Sequence, residues 1–334
     1  MKKGTILAVL LIQVISSLAL AQGISPKDPR WKQLNQSYGF VRGQQASLEL
    51  IEGKYPDLAR KVMESSFAFN TSALGESFGG VERELSDELG DKWPAMKQMM
   101  ESQIQELIEG QQFTKDQAAD FLGIVKRRAK GELTDTIRSV LLSANLRYKS
   151  NPGLELIEGW KQTYRTKGHA KSKGLDFSVS FPLSWSKREG NRPNIVQFFQ
   201  SGAGHGPIMC NLMVTAVTTP AGYRPTQEDL EELFNTTELK DMVSDDGVFV
   251  YAKSIVLEGS PAGILVSDQT MQRMDFSRTI RMTQFITFHN NALISIQFML
   301  GNEQNPTESL AERQQKYLPT FLTIANTFVL NDRY

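Results

Sequence analysis

Cysteine is almost absent from the 334-residue chain, which contains only Cys210. A single thiol cannot form an internal disulfide, so the sequence excludes a small fold held together by disulfide bridges. Cys210 lies in an apolar run from Ile208 to Val214, and no lysine, arginine or histidine is adjacent to it to lower its pKa. We therefore expect a buried structural cysteine within a β-strand.

Histidine is also scarce, and the three histidines are His169, His205 and His289. None has another histidine, a cysteine or paired carboxylates at the spacing of metal ligands. The sequence therefore predicts neither a metal site nor a cofactor.

An excess of charge of either sign is absent, since 37 basic residues balance 37 acidic ones. Nucleic-acid binding needs a concentrated basic face that displaces counterions, so this class of partner is disfavoured. The densest basic cluster is Lys126-Arg127-Arg128, which we interpret as a solvated helix face.

Long apolar runs are absent beyond the N-terminus, which has the pattern of a secretory signal peptide. Lys2 and Lys3 precede an apolar stretch from Ile6 to Ile12, and Ala19-Leu20-Ala21 has the small-x-small form that signal peptidase cleaves. An uncleaved membrane anchor is the alternative, but the apolar stretch is shorter than the roughly 20 residues that a bilayer requires. We expect cleavage after Ala21, a mature chain that begins at Gln22 without a membrane span, and a soluble periplasmic or secreted protein.

Helical patterns fill the first half, and we predict a helical domain over 22–166. Apolar residues recur there at helical spacing in three stripes. The stripes are Leu48, Ile51, Tyr55, Leu58 and Val62; Met96, Met99, Met100, Ile104, Leu107 and Ile108; and Ile137, Val140, Leu141 and Ala144. Glycines that follow helical stretches predict left-handed helix ends at Gly53, Gly110, Gly131 and Gly159, and Thr114 predicts a helix start.

Strand patterns fill the second half, after a polar segment at 167–174 that we predict to be a linker. We expect strands beginning at Leu175, Ile195 and Ile208, then a helix from Thr226. Two hairpins follow, with turns at 258–263 and 289–292, and then a helix over 307–325 and a strand at 327–330. Hairpins of this length require an antiparallel sheet, and amphipathic helices must cover its faces, so the fold class is α+β.

The segment 175–334 resembles the PsbP-like fold family. The resemblance is carried by Leu175 to Trp185, by the hairpin from Ile255 to Gly263, and by the closing helix that leads into Ile324 to Phe328. It implies an α/β/α sandwich with a central antiparallel sheet, used mostly for binding and accessory roles and without a shared catalytic residue set. The helical first half resembles no family that we can name.

A G-x-S-x-G pattern occurs at Gly75-Glu76-Ser77-Phe78-Gly79 and raises the hypothesis of a serine hydrolase. Such a nucleophile elbow requires a buried strand before the serine and a helix after it. The pattern lies in a helical region, so we favour a loop between helices.

A glycine-rich segment, from Ser201 to Pro207, raises the hypothesis of a phosphate loop with His205 near its centre. Phosphate loops run from a strand into a helix, whereas a strand follows this segment, so we favour a hairpin loop. The remaining candidates for ligand or partner binding are aromatic and basic residues near loops: Trp185, Lys187, Arg188, Arg192, Tyr223 and Arg224.

These patterns favour an exported non-enzymatic accessory or binding protein that acts through a protein partner or a small ligand. Two alternatives stay open. One is a periplasmic serine hydrolase that uses Ser77, and the other is an immunity or effector-chaperone protein that caps a partner.

Overall fold

The computed structural model describes residues 29–220, 222–273, 276–301 and 308–334. The predicted leader at 1–21, its cleavage site and Gln22 lie outside the described residues, as does the predicted helix start at Thr307. The chain divides into two compact units, the first ending at Lys149 and the second beginning at Ser150.

The first unit is helical, as predicted. Its helices are α1 (Pro29–Lys54), α2 (Ala59–Asn70), α3 (Ala73–Glu76), α4 (Phe78–Leu89), α5 (Trp93–Glu109), α6 (Lys115–Arg128) and α7 (Asp135–Ala144), with α8 (Leu146–Ser150) running to the boundary. Thr114 forms the predicted helix start as a capping box with Gln117. Gly131 and Gly159 adopt the predicted positive φ, whereas Gly53 lies inside α1 and Gly110 is right-handed.

Helix α1 lies at the centre of this unit and packs against α2, α4, α5 and α7. Apolar residues such as Tyr38, Val41 and Ile51 are buried on it together with Gly39, Ser37 and other small or polar residues. The helix is therefore buried on several sides. The stripe predicted from Leu48 to Val62 does not continue along one helix, because Pro56 removes a backbone donor and α1 ends at Lys54.

The basic cluster in α6 is not a uniformly solvated face. Arg127 is exposed and pairs with Glu132, and Lys126 pairs with Glu64. Arg128 is only 7% exposed and lies over the rings of Phe40 and Phe121. The expectation was wrong for Arg128 because the last turn of α6 directs this side chain into the core.

The second unit contains two antiparallel sheets and four helices in its described part. Its strands are β1 (Lys161–Arg165), β2 (Phe177–Pro182), β3 (Ser186–Glu189), β4 (Ile195–Gln200), β5 (Ile208–Ala216), β6 (Gly247–Leu257), β7 (Ser260–Arg273), β8 (Phe276–His289), β9 (Ala292–Gly301) and β10 (Val329–Leu330). Its helices are α9 (Gly153–Ile157), α10 (Gln227–Leu233), α11 (Thr236–Asp241) and α12 (Leu310–Ala325).

The strands form a small sheet in the order β1-β2-β10 and a seven-stranded sheet in the order β3-β4-β5-β9-β8-β7-β6. One face of the larger sheet packs on α12 and β2 through residues such as Phe298, Phe321 and Phe177. The other face packs on α10 and α11 through Phe234, Leu239 and Leu265. The fold is therefore α+β, with helices on both faces of an antiparallel sheet.

The division between the units falls before the segment that we predicted to be a linker. Lys161–Arg165 pairs with β2, and Thr166 donates its hydroxyl to the Leu175 carbonyl oxygen at 2.8 Å. Residues 170–172 form a 3₁₀ turn that His169 caps. The segment 167–174 therefore belongs to the second unit.

Candidate functional site

A cleft lies at the end of the larger sheet where β8 turns into β9. Asn290 and Asn291 close this two-residue turn with φ values of +46° and +57°, a conformation that asparagine tolerates better than most residues. The turn places His289 opposite Ala292 at the end of the sheet. The hairpin between β6 and β7, the segment after β5 and the C-terminal Arg333 supply the other walls.

The cleft has a volume of about 630 Å³. Its lining consists of Thr219, Pro220, Gly222, Tyr223, Arg224, Pro225, Leu230, Ser260, Phe288, His289, Asn290, Asn291 and Arg333. Apolar residues and directional polar groups thus share one concave surface, as is typical of small-molecule sites.

His289 is held by Asp332, whose Oδ2 lies 2.9 Å from His289 Nε2. Asn290 Nδ2 donates to the same carboxylate oxygen at 3.3 Å. A carboxylate only accepts hydrogen bonds, so His289 must carry a proton on Nε2 to donate to Asp332. The pair fixes the ring at the cleft wall.

Arg333 is fixed by neutral acceptors. Its Nη1 donates to the Glu258 carbonyl oxygen at 2.7 Å, and its Nη2 donates to the Ser260 hydroxyl. No carboxylate of the described residues lies within 4.0 Å of the guanidinium of Arg333 or of Arg224. Neither guanidinium is therefore paired with a carboxylate of the described residues, and neither positive charge is compensated there.

Tyr223 is 43% exposed and is tied to the first turn of α10. A hydrogen bond to Asp229 raises the pKa of the Tyr223 hydroxyl. The pKa of Asp229 is lowered, chiefly because its carboxylate accepts the Thr226 backbone N–H in a capping box. Asp229, which is fixed by the capping box, thus holds the Tyr223 hydroxyl at the start of α10.

The structure brings two of the sequence candidates together in this cleft, Tyr223 and Arg224. Arg192 is exposed in the turn between β3 and β4, at the same end of the sheet but outside the cleft lining. Arg188 is exposed on β3, where its guanidinium lies 4.0 Å from the centre of the Phe198 ring. Lys187 is also exposed on β3.

Trp185 and His205 lie at the opposite end of the sheet from the cleft. Trp185 is only 3% exposed and packs against Phe181, so the expectation of a surface aromatic was wrong. It faces the core because the chain turns after the end of β2 at Pro182, whose carbonyl oxygen accepts the Trp185 backbone N–H at 3.1 Å. His205 is exposed in the loop between β4 and β5.

The glycine-rich loop around His205 is a hairpin connection, as we favoured. Its backbone amides donate to acceptors of the protein: Ala203 to the Ser184 carbonyl oxygen at 2.9 Å, and Gly204 and Gly206 to that of Ser201 at 3.0 and 2.8 Å. Amides engaged in this way are not directed at a phosphate. The structure thus gives no support to a phosphate loop.

Ser77 lacks the surroundings of a nucleophile elbow. It is fully buried between α3 and α4, and its hydroxyl donates to the Ala73 carbonyl oxygen at 2.6 Å. Within residues 29–149 the structure contains no strand, so no buried strand precedes the serine. The glycines of the motif lie within helices rather than in a loop, and the hydrolase hypothesis loses its structural basis.

Sequence patterns did not reveal the contribution of His289, Asp332 and Arg333. His289 is separated from Asp332 by 43 residues, and Arg333 from Ser260 by 73. The one local signal was the position of His289 at the last strand residue before an Asn-Asn turn. Contacts at such separations follow from the topology of the sheet, not from a motif.

No described helix is both long and apolar enough to cross a bilayer. No group of three histidine, cysteine, aspartate or glutamate side chains in the described ranges is arranged to hold a metal ion.

Comparison with known proteins yields little. No family model matches the chain, and no curated protein matches it. A solved structure described as that of LpqN, involved in cell envelope biogenesis of Mycobacterium tuberculosis, is similar over 52% of this chain and 92% of its own. The sequence identity is 13% and the TM-score is 0.30, and a likeness at that level carries no functional argument.

Proposed function

We propose that this chain is an exported accessory protein that binds a small anionic ligand in the cleft of its second unit. The observation that carries the proposal is the charge of the cleft lining. Its charged side chains are Arg224 and Arg333, and its described lining contains no carboxylate. A guanidinium binds carboxylate and phosphate groups through parallel N–H donors, so this lining favours an oxyanion.

The cleft is organised before a ligand arrives. Arg333 is held by Glu258 and Ser260, and His289 is held by Asp332. Groups that are already fixed lose less conformational freedom when a ligand binds, and this raises affinity.

The apolar part of the lining suits the body of an organic ligand. Pro220, Pro225, Leu230 and Phe288 contribute apolar surface, and Tyr223 adds an exposed ring. A ligand with an anionic group and a compact apolar body uses both kinds of surface. The PsbP-like resemblance of 175–334 supports the same role, because it implies a fold used mostly for binding and accessory roles.

Ligand binding is tested by NMR titration of the full exported chain with two anions and one uncharged probe. Succinate and inorganic phosphate are the anions, and succinamide is the uncharged counterpart of succinate. We expect the anions to shift the backbone signals of Arg224, His289 and Arg333, and succinamide to leave them in place.

Substitutions in the cleft give the matched test. A hydrogen bond to a charged group contributes ~1.5–3 kcal/mol, so Arg224→Gln or Arg333→Gln is expected to weaken binding of the anion by about tenfold or more. Arg192→Gln is the control, since Arg192 is exposed at the same end of the sheet but outside the lining. Equal affinity for succinate and succinamide, or equal losses in all three variants, would contradict the proposal.

Export is tested separately. Cell fractionation is expected to recover the protein outside the cytoplasm, and N-terminal sequencing is expected to begin at Gln22. Recovery of the intact chain from the cytoplasm alone would contradict this part of the proposal and leave the cleft chemistry unaffected.

A further inference from the structure

Three methionines stand side by side on adjacent strands of the larger sheet. The register places Met209 of β5 opposite Met299 of β9, and Met299 opposite Met282 of β8. Residues that oppose each other across an antiparallel pair project from the same face, so the three side chains form one row. We call Met209, Met299 and Met282 the thioether row.

The spacing of the thioether row allows the sulfur atoms to approach a common point. Opposed residues on neighbouring strands have Cβ atoms about 4.5–5.5 Å apart, so Met209 and Met282, which flank Met299, are about 10 Å apart at Cβ. Methionine is unbranched and has three rotatable bonds, so the sulfur atoms of the two outer residues can turn toward the sulfur atom of the central one. All three side chains are partly exposed, so solvent reaches the row.

Two of the sulfur atoms already accept polar contacts on this face. Asn211 Nδ2 lies 3.8 Å from Met299 Sδ, and Gln297 Nε2 lies 3.5 Å from Met282 Sδ. Asn211 and Gln297 oppose each other in the next row of the sheet. A thioether sulfur has two lone pairs, so accepting one amide hydrogen leaves a lone pair for a further partner. The amide groups of Asn211 and Gln297 therefore orient two sulfur atoms, each of which can still donate a lone pair to a metal ion.

Thioethers are soft and neutral ligands that cannot be protonated in water. Such ligands select Cu(I) rather than Mg²⁺ or Ca²⁺, which require oxygen atoms. We propose that Met209, Met282 and Met299 form a binding site for a soft monovalent metal ion, Cu(I) or its redox-inert equivalent Ag(I). The site is separate from the cleft and does not depend on the function proposed for it.

Cys210 is not part of the site, although it follows Met209 directly. Successive strand residues face opposite sides of a sheet, and Cys210 is fully buried in the core on the α12 side. Burial also raises the pKa of its thiol, which disfavours the thiolate form that metals bind.

The experiment is a titration of the full exported chain with Ag(I) in chloride-free buffer. Calorimetry gives the stoichiometry, and NMR of ¹³C-methyl methionine identifies the ligands. We expect one Ag(I) per chain, with shifts of the methyl signals of Met209, Met282 and Met299. Because thioethers do not titrate, we expect the same affinity at pH 5 and pH 7, and a competition assay with Cu(I) under anaerobic conditions is expected to give the same site.

Conservative substitutions test the assignment. Met209→Leu and Met299→Leu nearly preserve side-chain volume and are each expected to weaken Ag(I) binding by about tenfold or more, since one of three soft ligands is lost. Met213→Leu is the matched control. Met213 lies on the same face of β5, about 13 Å along the strand from Met209, and opposes Ser295 rather than a methionine.

Three outcomes would overturn the proposal. They are the absence of Ag(I) binding, equal losses in Met213→Leu and Met299→Leu, and binding that disappears in Cys210→Ser but persists in Met299→Leu. The melting temperature of each variant, measured without metal, separates loss of the site from loss of the fold.

Discussion

The carboxyl group of Glu155 accepts two hydrogen bonds from Ser184, one from its backbone N–H at 2.6 Å and one from its hydroxyl at 2.7 Å. Glu155 lies on α9 and is only 1% exposed. Burial raises the pKa of this carboxyl from its ordinary value of 4.5 to about 7, and the bonds from Ser184 act in the opposite direction without reversing the shift. The second unit therefore contains a carboxyl group that titrates near neutrality.

The raised pKa of Glu155 predicts that the second unit becomes less stable as pH rises from 4.5 to 7. Over that range Glu155 keeps its proton in the folded chain and loses it in the unfolded chain, so the unfolded state binds fewer protons. Its contribution to the free energy of unfolding is complete below pH 4.5 and declines by ~3 kcal/mol as pH approaches 7. Urea unfolding at a series of pH values measures this decline.

Glu155→Gln provides the comparison, because glutamine has the shape of the protonated carboxyl group and can keep both contacts with Ser184. The variant is expected to lose this part of the pH dependence and to match the original chain near pH 4.5. Glu228→Gln, at an exposed position on α10, is the control and is expected to follow the original chain. A parallel decline in the Glu155 variant would show that another group is responsible.

Gly79 and Gly80 are expected to respond to alanine in opposite directions. A Cβ atom at Gly80 would lie 1.8 Å from the Ala144 carbonyl oxygen, so α4 and α7 would have to separate. We expect Gly80→Ala to lower the free energy of unfolding by ~1–3 kcal/mol or more, as overpacked sites do. A Cβ atom at Gly79 has no neighbour within 4 Å, and alanine is expected to stabilise the helix by about 0.5 kcal/mol.

Thermal unfolding of the two variants tests this contrast. Since both positions lie near the start of α4, any general effect of alanine on the helix is shared between them. If Gly80→Ala were as stable as Gly79→Ala, the close approach of the two helices would be disproved.

Sequence patterns predicted the strands in which long runs of apolar residues are buried. Met209 to Val214 and Leu293 to Leu300 alternate between two buried or partly buried faces, and both were predicted as strands. The patterns failed for β1 and β3. These strands are four or five residues long and mostly polar, and they form through pairing with β2 and β4 rather than through burial of their own side chains.

The candidate site was predictable only in part. Tyr223 and Arg224 were candidates because they are an aromatic and a basic residue near a loop. Nothing local to Arg333 or Asp332 indicates the cleft, because both reach it through the return of the chain after α12. A sequence pattern describes neighbours along the chain, whereas this cleft is built from four segments that the sheet brings together.

Arg128 also differs from what its neighbours along the chain indicate. The sequence places it beside Lys126 and Arg127, but its guanidinium lies 4.7 Å from the centre of the Phe40 ring, and Nη1 donates to Gln44 Oε1 at 2.9 Å. Burial lowers the pKa of Arg128 to about 10. Arg128→Ala removes a buried side chain whose guanidinium lies over the rings of Phe40 and Phe121, and is expected to cost ~2–4 kcal/mol of unfolding free energy. Exposed Arg127→Ala is expected to cost under about 1 kcal/mol.

Arg128→Met separates packing from charge, because methionine fills most of the same space without a buried cation. If packing dominates, urea unfolding will give Arg128→Met a stability within about 1.5 kcal/mol of the original chain. A loss in Arg128→Met as large as that in Arg128→Ala would instead assign the stabilisation to the guanidinium, through the aromatic rings and Gln44. The two variants together therefore decide why a helical core keeps an arginine where the sequence alone predicted a solvated one.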